Sequence, residues 1–518
     1  MGTYPPPTQI SSGHTTAGLR PAPLGILAAG ILMALGALMA GGGACFANAQ
    51  EAVDRSVTAR IVEEGLGSAE TVAMYTHLTN VIGPRLTGSP AFKRAVDWSA
   101  QRLRGWDLDN VTVETWDFGR GWTLEGLTLE MTEPWYFPLT GFPEAWTPST
   151  SGEIVATPVY VGDRTADELE RLQPTIAGAI VLAAPPQTTF ITQDRLQPAA
   201  SEEPVAIGAP RFIRSAGPVP ARELNALLQD GGAAVKLQPN KGQHGTIFVT
   251  GNRNTPDDAV PSVILASEHY NMIVRLLEAG EDVKLRVAVK SRYHEDDTNG
   301  YNVLAEIPGT DPEVRDEVVL IGAHLDSWHS SPGGSDNADG VASTMEAMRI
   351  LKALGVQPRR TIRMALWGGE EQGLLGARAW VQENLAGDEG REAREKFYVY
   401  LNNDPGYGKI LGWYMEGNEP AKAVFDAWLE PLKEIGALRN VVEGIGSTDH
   451  VPFIQAGVPA FNAIQDYRDY DVRTHHTNMD FHERVAEEDL KQAAIVLAVF
   501  AWHAAMREGE IPPSPGAR

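Results

Sequence analysis

Cysteine is almost absent from this sequence, which has one, Cys45, among 518 residues. A chain with a single cysteine cannot build a disulfide framework, and cysteine thiolates are excluded as a metal-ligand set. Basic residues are also scarce, with 43 lysines and arginines against 67 acidic residues and a net charge of −24. Because phosphate binding needs a basic surface, this balance argues against nucleic acid as a partner.

Charged side chains are missing from the first fifty residues, apart from Arg20. An uncharged and mostly apolar run covers 24–44, and Ala47-Asn48-Ala49 then forms an A-x-A cleavage site before Gln50. This order predicts a signal peptide over 1–49 and a secreted or periplasmic protein with no stable membrane association after cleavage. The alternative is an uncleaved membrane anchor, since the apolar run is near the lower length limit for spanning a bilayer.

The length of the chain exceeds what one hydrophobic core supports, so more than one domain is expected. We predict a first part of the main domain at 50–149, an inserted domain at 150–285, the rest of the main domain at 286–510 and a disordered tail at 511–518. Short β-type runs dominate the insert, among them GTIFVTG, with helices around 221–229 and 268–278. It has no compact cluster of histidines and carboxylates, so it is expected to shape a site without carrying the chemistry.

The remainder of the chain alternates strands with helices. From Tyr301 onward the order is strand–helix–strand, with a helix over 341–354 and a strand over 361–367. Nearer the N-terminus, 55–80 is predicted to be helical, and Ser89-Pro90 opens a helix that stops at Gly105. The predicted fold class is α/β, a doubly wound mixed sheet with a β-rich inserted domain.

Metal-type side chains follow the apolar strands of this second half. In an open α/β sheet, ligands bind in the crevice at the carboxyl ends of the strands. The candidates are all nitrogen or oxygen donors: His324, Asp336, Glu371, Asp404 and His476. Two imidazoles and three carboxylates suit two divalent ions that share one carboxylate, and the Gly-rich loop GGSDNADG makes Asp336 the predicted bridge.

Two further carboxylates accompany these candidates. Asp326 is two residues after His324, on the same face of an extended backbone, so it can orient the imidazole. Glu370 and Glu371 are neighbours that point in different directions, so one can bind metal while the other accepts a proton from a water between the ions. A Glu-Glu pair is ordinarily a solvated surface feature, but here it follows the apolar strand MALWGG into the crevice.

Other polar residues receive plainer interpretations. His475 is expected to be a packing or outer residue, and His329 either lines the cleft or lies in a polar loop. Ser447, Asp449 and His450 are serine-triad residue types, but they crowd within four positions and no G-x-S-x-G motif is present. Asp449-His450 is therefore expected to fix the loop before Pro452.

Five blocks in order resemble a known family: GAHLDSW, GGSDNADG, WGGEEQGLLGA, NNDPG and THHTNMD. They are similar to the M28 family of di-zinc aminopeptidases and carboxypeptidases, and most similar to its carboxypeptidase Q-like branch. The likeness covers about 60–490 and includes GPRLTGS at Gly83. It implies a zinc-exopeptidase core, a protease-associated (PA) domain as the insert, and two zinc ions per chain.

The resemblance also implies a role for each site residue. His324, Asp336, Glu371, Asp404 and His476 become the zinc ligands, with Asp336 as the bridge. Glu370 becomes the general acid/base, and Asp326 the carboxylate behind His324. THHTNMD has two histidines where the commoner Y-H-T pattern has one. Alignment on Thr477 favours His476 over His475 as the zinc ligand.

The predicted function is therefore that of a secreted di-zinc exopeptidase acting on short peptides. Removal of N-terminal residues or dipeptides is the first choice, and a carboxypeptidase or dipeptidase of the carboxypeptidase Q type is the second. A non-catalytic binding protein on the same scaffold and an aminoacyl transferase of the glutaminyl-cyclase type are further alternatives. A homodimer is compatible with this prediction, which leaves the side-chain preference open.

Overall fold

The computed structural model describes residues 51–512, except 69, 211, 213 and 214. The predicted signal segment and most of the predicted tail therefore lie outside the described residues. Within the described part, no helix is both long enough and apolar enough to cross a membrane.

Sixteen strands and twelve α-helices are present in the described residues. The strands are β1 (Asp109–Asp117), β2 (Gly121–Glu133), β3 (Phe137–Pro138), β4 (Gly141–Pro143), β5 (Ile154–Ala156), β6 (Val159–Tyr160), β7 (Ile180–Leu182), β8 (Val235–Pro239), β9 (Ser262–Leu265), β10 (Lys284–His294), β11 (Asn299–Ile307), β12 (Val318–His324), β13 (Thr361–Trp367), β14 (Phe397–Asn402), β15 (Tyr407–Tyr414) and β16 (Ala460–Asp466). The helices are α1 (Arg55–Gly67), α2 (Glu70–Thr76), α3 (Pro90–Gly105), α4 (Ala166–Leu172), α5 (Ala221–Asp230), α6 (Ser267–Glu278), α7 (Asp339–Ala353), α8 (Leu375–Asn384), α9 (Arg391–Glu395), α10 (Glu419–Leu429), α11 (His450–Gln455) and α12 (Glu487–Met506).

The main sheet has seven strands in the order β1-β11-β13-β12-β14-β16-β15. Its four central strands, β13, β12, β14 and β16, run parallel, and both edges are antiparallel. The register makes the carboxyl ends of β12 and β13 level, because His324 lies beside Trp367, and β14 ends two residues short of them, where Asn402 lies beside Gly322. The predicted mixed α/β sheet is confirmed.

Helices cover both faces of the main sheet, which explains why its central strands are apolar along their whole length. On one face, α7 and α12 pack into the largest core cluster together with α1, α2 and α3. On the other face, Trp380 of α8 and Phe453 of α11 pack against Leu320 and Tyr400 of the sheet. Helix α12 is buried from Leu490 to Ala505 almost without interruption, since it lies between the sheet and the helices outside it.

Several predicted helices are confirmed. Helix α3 begins at Pro90, where the Ser89 hydroxyl accepts a hydrogen bond from the Phe92 N–H at 3.2 Å, and it ends at Gly105. Helices α5 and α6 match the two predicted in the insert. The predicted helical stretch 55–80 consists of two α-helices followed by a π-helical turn at His77–Ile82.

Two smaller sheets are built from residues between β1 and β11. One is antiparallel, in the order β3-β2-β10-β5, and the other is mixed, in the order β4-β9-β8-β7-β6. Apolar side chains from both sheets share a second core cluster. Their strands span 121–294, a wider stretch than the predicted 150–285. The identity of this region as a PA-like domain stays a prediction.

One predicted strand of the insert is wrong. The apolar run GTIFVTG, residues 245–251, is not a strand of any sheet and forms only isolated bridges. One bridge joins Phe248 to Thr477, directly after the two predicted histidines. The segment has the residue types of a β-strand, but its backbone pairs with a loop of the main domain rather than with a strand of the smaller sheets.

Candidate metal centre

The carboxyl ends of the parallel strands bring the predicted ligands to one edge of the main sheet. His324 is the last residue of β12, Asp404 follows β14 by two residues, and the Glu370-Glu371 pair follows β13 after Gly368-Gly369. Gly369 has a positive φ of 70°, a conformation that favours glycine and turns the chain back after β13. Asp336 lies in the π-helical turn Gly334–Ala338 that leads into α7.

The first group of ligand atoms is defined here as the His324 half-site: His324, Asp404 and Oδ1 of Asp336. The Nε2 atom of His324 lies 3.2 Å from Oδ1 of Asp336 and 3.8 Å from Oδ1 of Asp404. All three side chains are buried. One imidazole and two carboxylates within this distance form a compact set of nitrogen and oxygen donors.

The second group is defined as the His476 half-site: His476, Glu371 and Oδ2 of Asp336. The Nε2 atom of His476 lies 2.9 Å from Oε2 of Glu371 and 3.6 Å from Oδ2 of Asp336. A ring nitrogen of His475 also lies within 4.8 Å of the ligand atoms of Asp336 and His476. The 2.9 Å approach to Glu371 favours His476 as the ligand.

The two oxygens of Asp336 therefore face different half-sites, as a bridging carboxylate requires. Several of the possible metal-ligand atoms are buried and make no hydrogen bond to any described residue. They are His324 Nε2, Asp336 Oδ2 and both Oε atoms of Glu371. Buried polar atoms ordinarily have hydrogen-bond partners. A cluster of nitrogen and oxygen atoms without such partners, facing one another, therefore fits cation binding. The donor types, imidazole and carboxylate, are those that zinc takes.

The electrostatics of the cluster also call for cations. Burial raises the pKa of Glu371 well above its usual value, and the nearby carboxylate of Asp336 raises it further. Burial likewise raises the pKa of Glu370, with Asp404 and Asp449 adding to the effect against the opposing His324. Without a positive charge nearby, the buried carboxyl groups of Glu370 and Glu371 favour the protonated form. Bound divalent cations would favour the ionised form instead.

Asp326 contacts both the His324 imidazole and the Glu370-Glu371 pair. The Nδ1 atom of His324 lies 3.1 Å from the backbone carbonyl of Asp326 and 3.6 Å from its carboxylate. The carboxylate instead accepts hydrogen bonds from the backbone N–H groups of Glu370 and Glu371, at 3.3 and 3.4 Å. Asp326 thus holds the Glu370-Glu371 turn through its carboxylate and the imidazole through its backbone carbonyl.

Residues that the sequence did not single out support the ligand loops. The hydroxyl of Thr87 donates to Asp326 at 2.9 Å and accepts from the Gly369 N–H at 3.0 Å. Asp480 accepts hydrogen bonds from the backbone N–H groups of Ser335 and Asp336, at 2.8 and 3.0 Å. Thr87 lies within GPRLTGS, and Asp480 is the last residue of THHTNMD. Both residues therefore belong to sequence blocks that resemble the family, but only the fold shows what they contact.

Arg85, also in GPRLTGS, has a second supporting role. Its fully buried guanidinium donates to five backbone carbonyls at 2.6 to 3.4 Å: those of Leu78, Gly83, Leu325, Pro332 and Gly333. Three of these carbonyls belong to the loop between His324 and Asp336. Burial lowers the pKa of Arg85 to about 10, which still leaves it charged at neutral pH. Arg85 therefore fixes the path of the loop that joins the two predicted ligands, His324 and Asp336.

An open cavity of about 770 Å³ lies over the ligands. The cavity is lined by Glu370, Glu371, Asp336, Asp404, His475 and His476, so Glu370 faces the space in which a substrate would lie. Apolar wall residues include Ile207, Leu374 and Val451. Arg378 contributes a cationic side chain to the wall, and its guanidinium donates hydrogen bonds to the Gly373 carbonyl and the Gln455 side chain. No carboxylate of the described residues forms an ion pair with it.

The remaining candidates lie around the site without forming a nucleophilic triad. The His450 Nε2 atom lies 3.2 Å from Glu416, and this contact holds the start of α11. Asp449 is fully buried near Glu370, and neither carboxylate oxygen has a hydrogen-bond partner among the described residues. The Nε2 atom of His329 contacts the Pro143 carbonyl at 2.7 Å, and burial lowers the pKa of this imidazole to about 4. His329 is thus a neutral packing residue beside the smaller sheets.

Comparisons with known proteins agree with this architecture. Residues 302–501 match the family model described as Peptidase family M28. Carboxypeptidase Q of Bos taurus is 26% identical over 437 residues, which cover 84% of this chain and 85% of the relative. The crystal structure of a peptidase M28 precursor from Shewanella amazonensis superposes with a TM-score of 0.66 at 25% identity, covering 89% of this chain and 98% of that one.

A second solved structure shows the same fold at lower identity. It is a zinc aminopeptidase from Bacillus subtilis, with a TM-score of 0.56 and 20% identity over 85% of this chain and 95% of that one. The family match covers the strands that carry the ligand set and the Glu370-Glu371 pair. Residues 302–501 therefore match peptidase family M28, and the relatives together with the shared fold identify the chain as a zinc metallopeptidase.

Proposed function

We propose that this chain is a zinc-dependent exopeptidase that cleaves short peptides and holds two zinc ions. The observation that carries the proposal is the position of Asp336, whose two oxygens face the two half-sites at 3.2 and 3.6 Å from the histidine nitrogens. Five nitrogen and oxygen ligands are too many for one tetrahedral ion with an open position. The ions would lie in the His324 and His476 half-sites and share Asp336.

The residues of the chain divide the remaining work. Bound zinc supplies Lewis-acid activation of water and of the scissile carbonyl. Glu370, which reaches the cavity beside Glu371, accepts the proton of the attacking water and returns it to the leaving amine. Asp326 and Thr87 keep the Glu370 backbone in place through the hydrogen bonds described above.

Aminopeptidase action is the first candidate, and carboxypeptidase or dipeptidase action is the second. Two observations favour the second. Arg378 brings a cation without a carboxylate partner to the cavity wall, where it can bind a free substrate carboxylate. The similarity to carboxypeptidase Q also extends over most of both chains.

Metal analysis tests the proposed ions. Purified protein dialysed against trace zinc is expected to hold about two zinc ions per chain, because each half-site has its own imidazole. A reproducible content near zero would remove the metallopeptidase mechanism proposed above.

A substrate panel distinguishes the two directions of cleavage. Amino-acyl anilides have no free carboxylate, N-blocked peptides have no free amine, and dipeptides have both. Turnover of the anilides supports the aminopeptidase, whereas turnover of the N-blocked peptides alone supports the carboxypeptidase. With dipeptides, Arg378→Gln should raise KM only if Arg378 binds the carboxylate, and Arg391→Gln on the exposed helix α9 is the matched control.

We also propose that the segment before Gln50 is removed during export. The A-x-A site behind an apolar run supports this proposal. N-terminal sequencing of the exported protein is expected to begin near Gln50. Finding residue 1 in a membrane fraction would instead establish an anchor.

A further inference from the structure

The region of the smaller sheets extends a segment to the main domain. Residues 187–210 leave β7 and reach the loop after β16 before the chain returns to α5. Arg195 and Asp471 form the main contact, in which Nη2 of Arg195 lies 2.7 Å from Oδ1 and Nε lies 2.9 Å from Oδ2. Both side chains are almost fully buried, at 6% and 2% exposure. This two-pronged ion pair joins the two regions of the molecule.

The contact fixes the backbone of the loop as well as its side chains. The backbone N–H of Arg195 donates to Oδ2 of Asp471 at 2.8 Å. The carboxylate of Asp194 accepts hydrogen bonds from the N–H groups of Asp469 and Val472, at 2.8 and 3.0 Å. The π-helical turn Tyr470–Thr474 is therefore held by two consecutive residues of the 187–210 segment.

This turn leads directly to the His476 half-site through a series of ring contacts. The guanidinium of Arg195 lies 5.4 Å from the centre of the Tyr470 ring. The Tyr470 ring stacks on His475 with centres 5.0 Å apart, and His475 lies 3.9 Å from His476. Arg195 is thus separated from the proposed ligand by two packed rings.

His476 itself has a strained backbone conformation. Its φ is +59°, in the left-handed region that residues other than glycine rarely adopt, and such conformations persist only where surrounding contacts impose them. The 245–251 segment supplies contacts from the other side, since the Val249 N–H donates to the His476 carbonyl at 3.1 Å. The Ile247 N–H also donates to Asn478 at 2.7 Å.

We propose that Arg195 is a positioning residue for the His476 half-site, so that the region of the smaller sheets completes the metal centre. This inference rests on the proposed function, because it presumes that His476 binds zinc. Arg195 does not contact the ligand atoms; it acts through Asp471, Tyr470 and His475. The His324 half-site lies on β12, β14 and the Asp336 turn, whereas the hydrogen bonds of Arg195 go to Asp471 in the loop after β16.

Zinc titration of the full-length protein against a competing chelator tests the proposal. Wild type should bind two ions, whereas Arg195→Gln should bind one ion unchanged and the other about 10- to 100-fold more weakly, the range expected for residues that orient a ligand. Asp471→Asn should have the same selective effect. Arg222→Gln, at an exposed position on α5, is the matched control and should leave both affinities unchanged.

The selective readout separates positioning from general damage to the fold. Loss of overall stability would weaken both ions together, which contradicts the proposal, as would two unchanged affinities in folded Arg195→Gln. If that variant does not fold, Arg195→Lys keeps the charge but loses the two-pronged geometry, and it should show the same selective loss to a smaller degree. A wild type that binds no zinc would overturn the proposed function instead.

Discussion

At the scale of single residues, the Glu370-Glu371 pair shows how neighbours in the chain take separate roles. Both follow β13 and both have their N–H groups tied to Asp326, yet Glu371 lies 2.9 Å from His476 while Glu370 faces the cavity. The direction of each side chain is set by the turn at Gly368-Gly369. The pair therefore allows a direct test of the proposed division between proton transfer and metal binding.

Glu370→Gln is expected to reduce turnover about a thousandfold or more while zinc content stays at the wild-type level. The amide keeps the size of the side chain but cannot accept a proton from water. Glu371→Gln should instead lower zinc affinity. Kinetic assays and metal analysis of both variants check this prediction, and the opposite pattern would reverse the assigned roles.

Arg85→Met is expected to lower the free energy of unfolding by about 3 kcal/mol, because buried carbonyls lose their donor. The loop between His324 and Asp336 should loosen with it. Denaturant unfolding measures the change. Arg94→Met on the exposed face of α3 is the control and should change stability by less than about 0.5 kcal/mol. Equal effects in the two variants would show that the carbonyl contacts of Arg85 contribute little.

At the scale of secondary-structure elements, α12 does more than cover the sheet. The pairing of β15 with β16 shifts register between Tyr407 and Gly412, and Gln492 of α12 bonds to the backbone of β15 within this irregular stretch. The Gln492 amide donates to the Ile410 carbonyl and accepts from the Ile410 N–H, both at 2.9 Å. The side chain thus satisfies both backbone groups of a residue that lies in the register shift and has no partner in β16.

Gln492→Leu is expected to lower the free energy of unfolding by about 2 kcal/mol, because it leaves both backbone groups of Ile410 unsatisfied. Thermal or denaturant unfolding measures the loss. Glu488→Leu, at an exposed position one turn earlier on α12, provides the control. An unchanged stability of Gln492→Leu would mean that the two hydrogen bonds to Ile410 contribute little.

At the scale of the whole molecule, the metal centre is expected to contribute to global stability. The ligands come from four strand ends and the start of α7, so bound ions would join segments that are far apart in the chain. Zinc that binds the folded chain alone, at a free concentration a thousand times its Kd, stabilises it by about 4 kcal/mol. A chelator should therefore lower the unfolding temperature, and added zinc should restore it.

Glu371→Gln provides the comparison for this experiment, since it should show a smaller response to zinc. Differential scanning calorimetry of wild type and variant, each with chelator and with zinc, measures both effects. A wild-type unfolding temperature that the chelator leaves unchanged would contradict a structural contribution from the ions.

The sequence by itself determined the fold class and the edge of the sheet at which the site lies. Apolar strands between helices predict a buried parallel sheet, and the ligand candidates follow those strands because carboxyl ends of parallel strands meet at one edge. Helices α3, α5 and α6 were also predictable, since their apolar periodicity is local and, for α3, the cap at Ser89 is explicit.

Only the tertiary structure decided how the two regions of the molecule meet. GTIFVTG reads locally as a strand, but it pairs with the loop that carries His476 instead of joining a sheet. Arg195 and Asp471 are far apart in the chain, and neither stands out in the sequence. Their contact, like the carbonyl cluster around Arg85, depends on long-range packing, which local propensity and hydrophobic pattern do not encode.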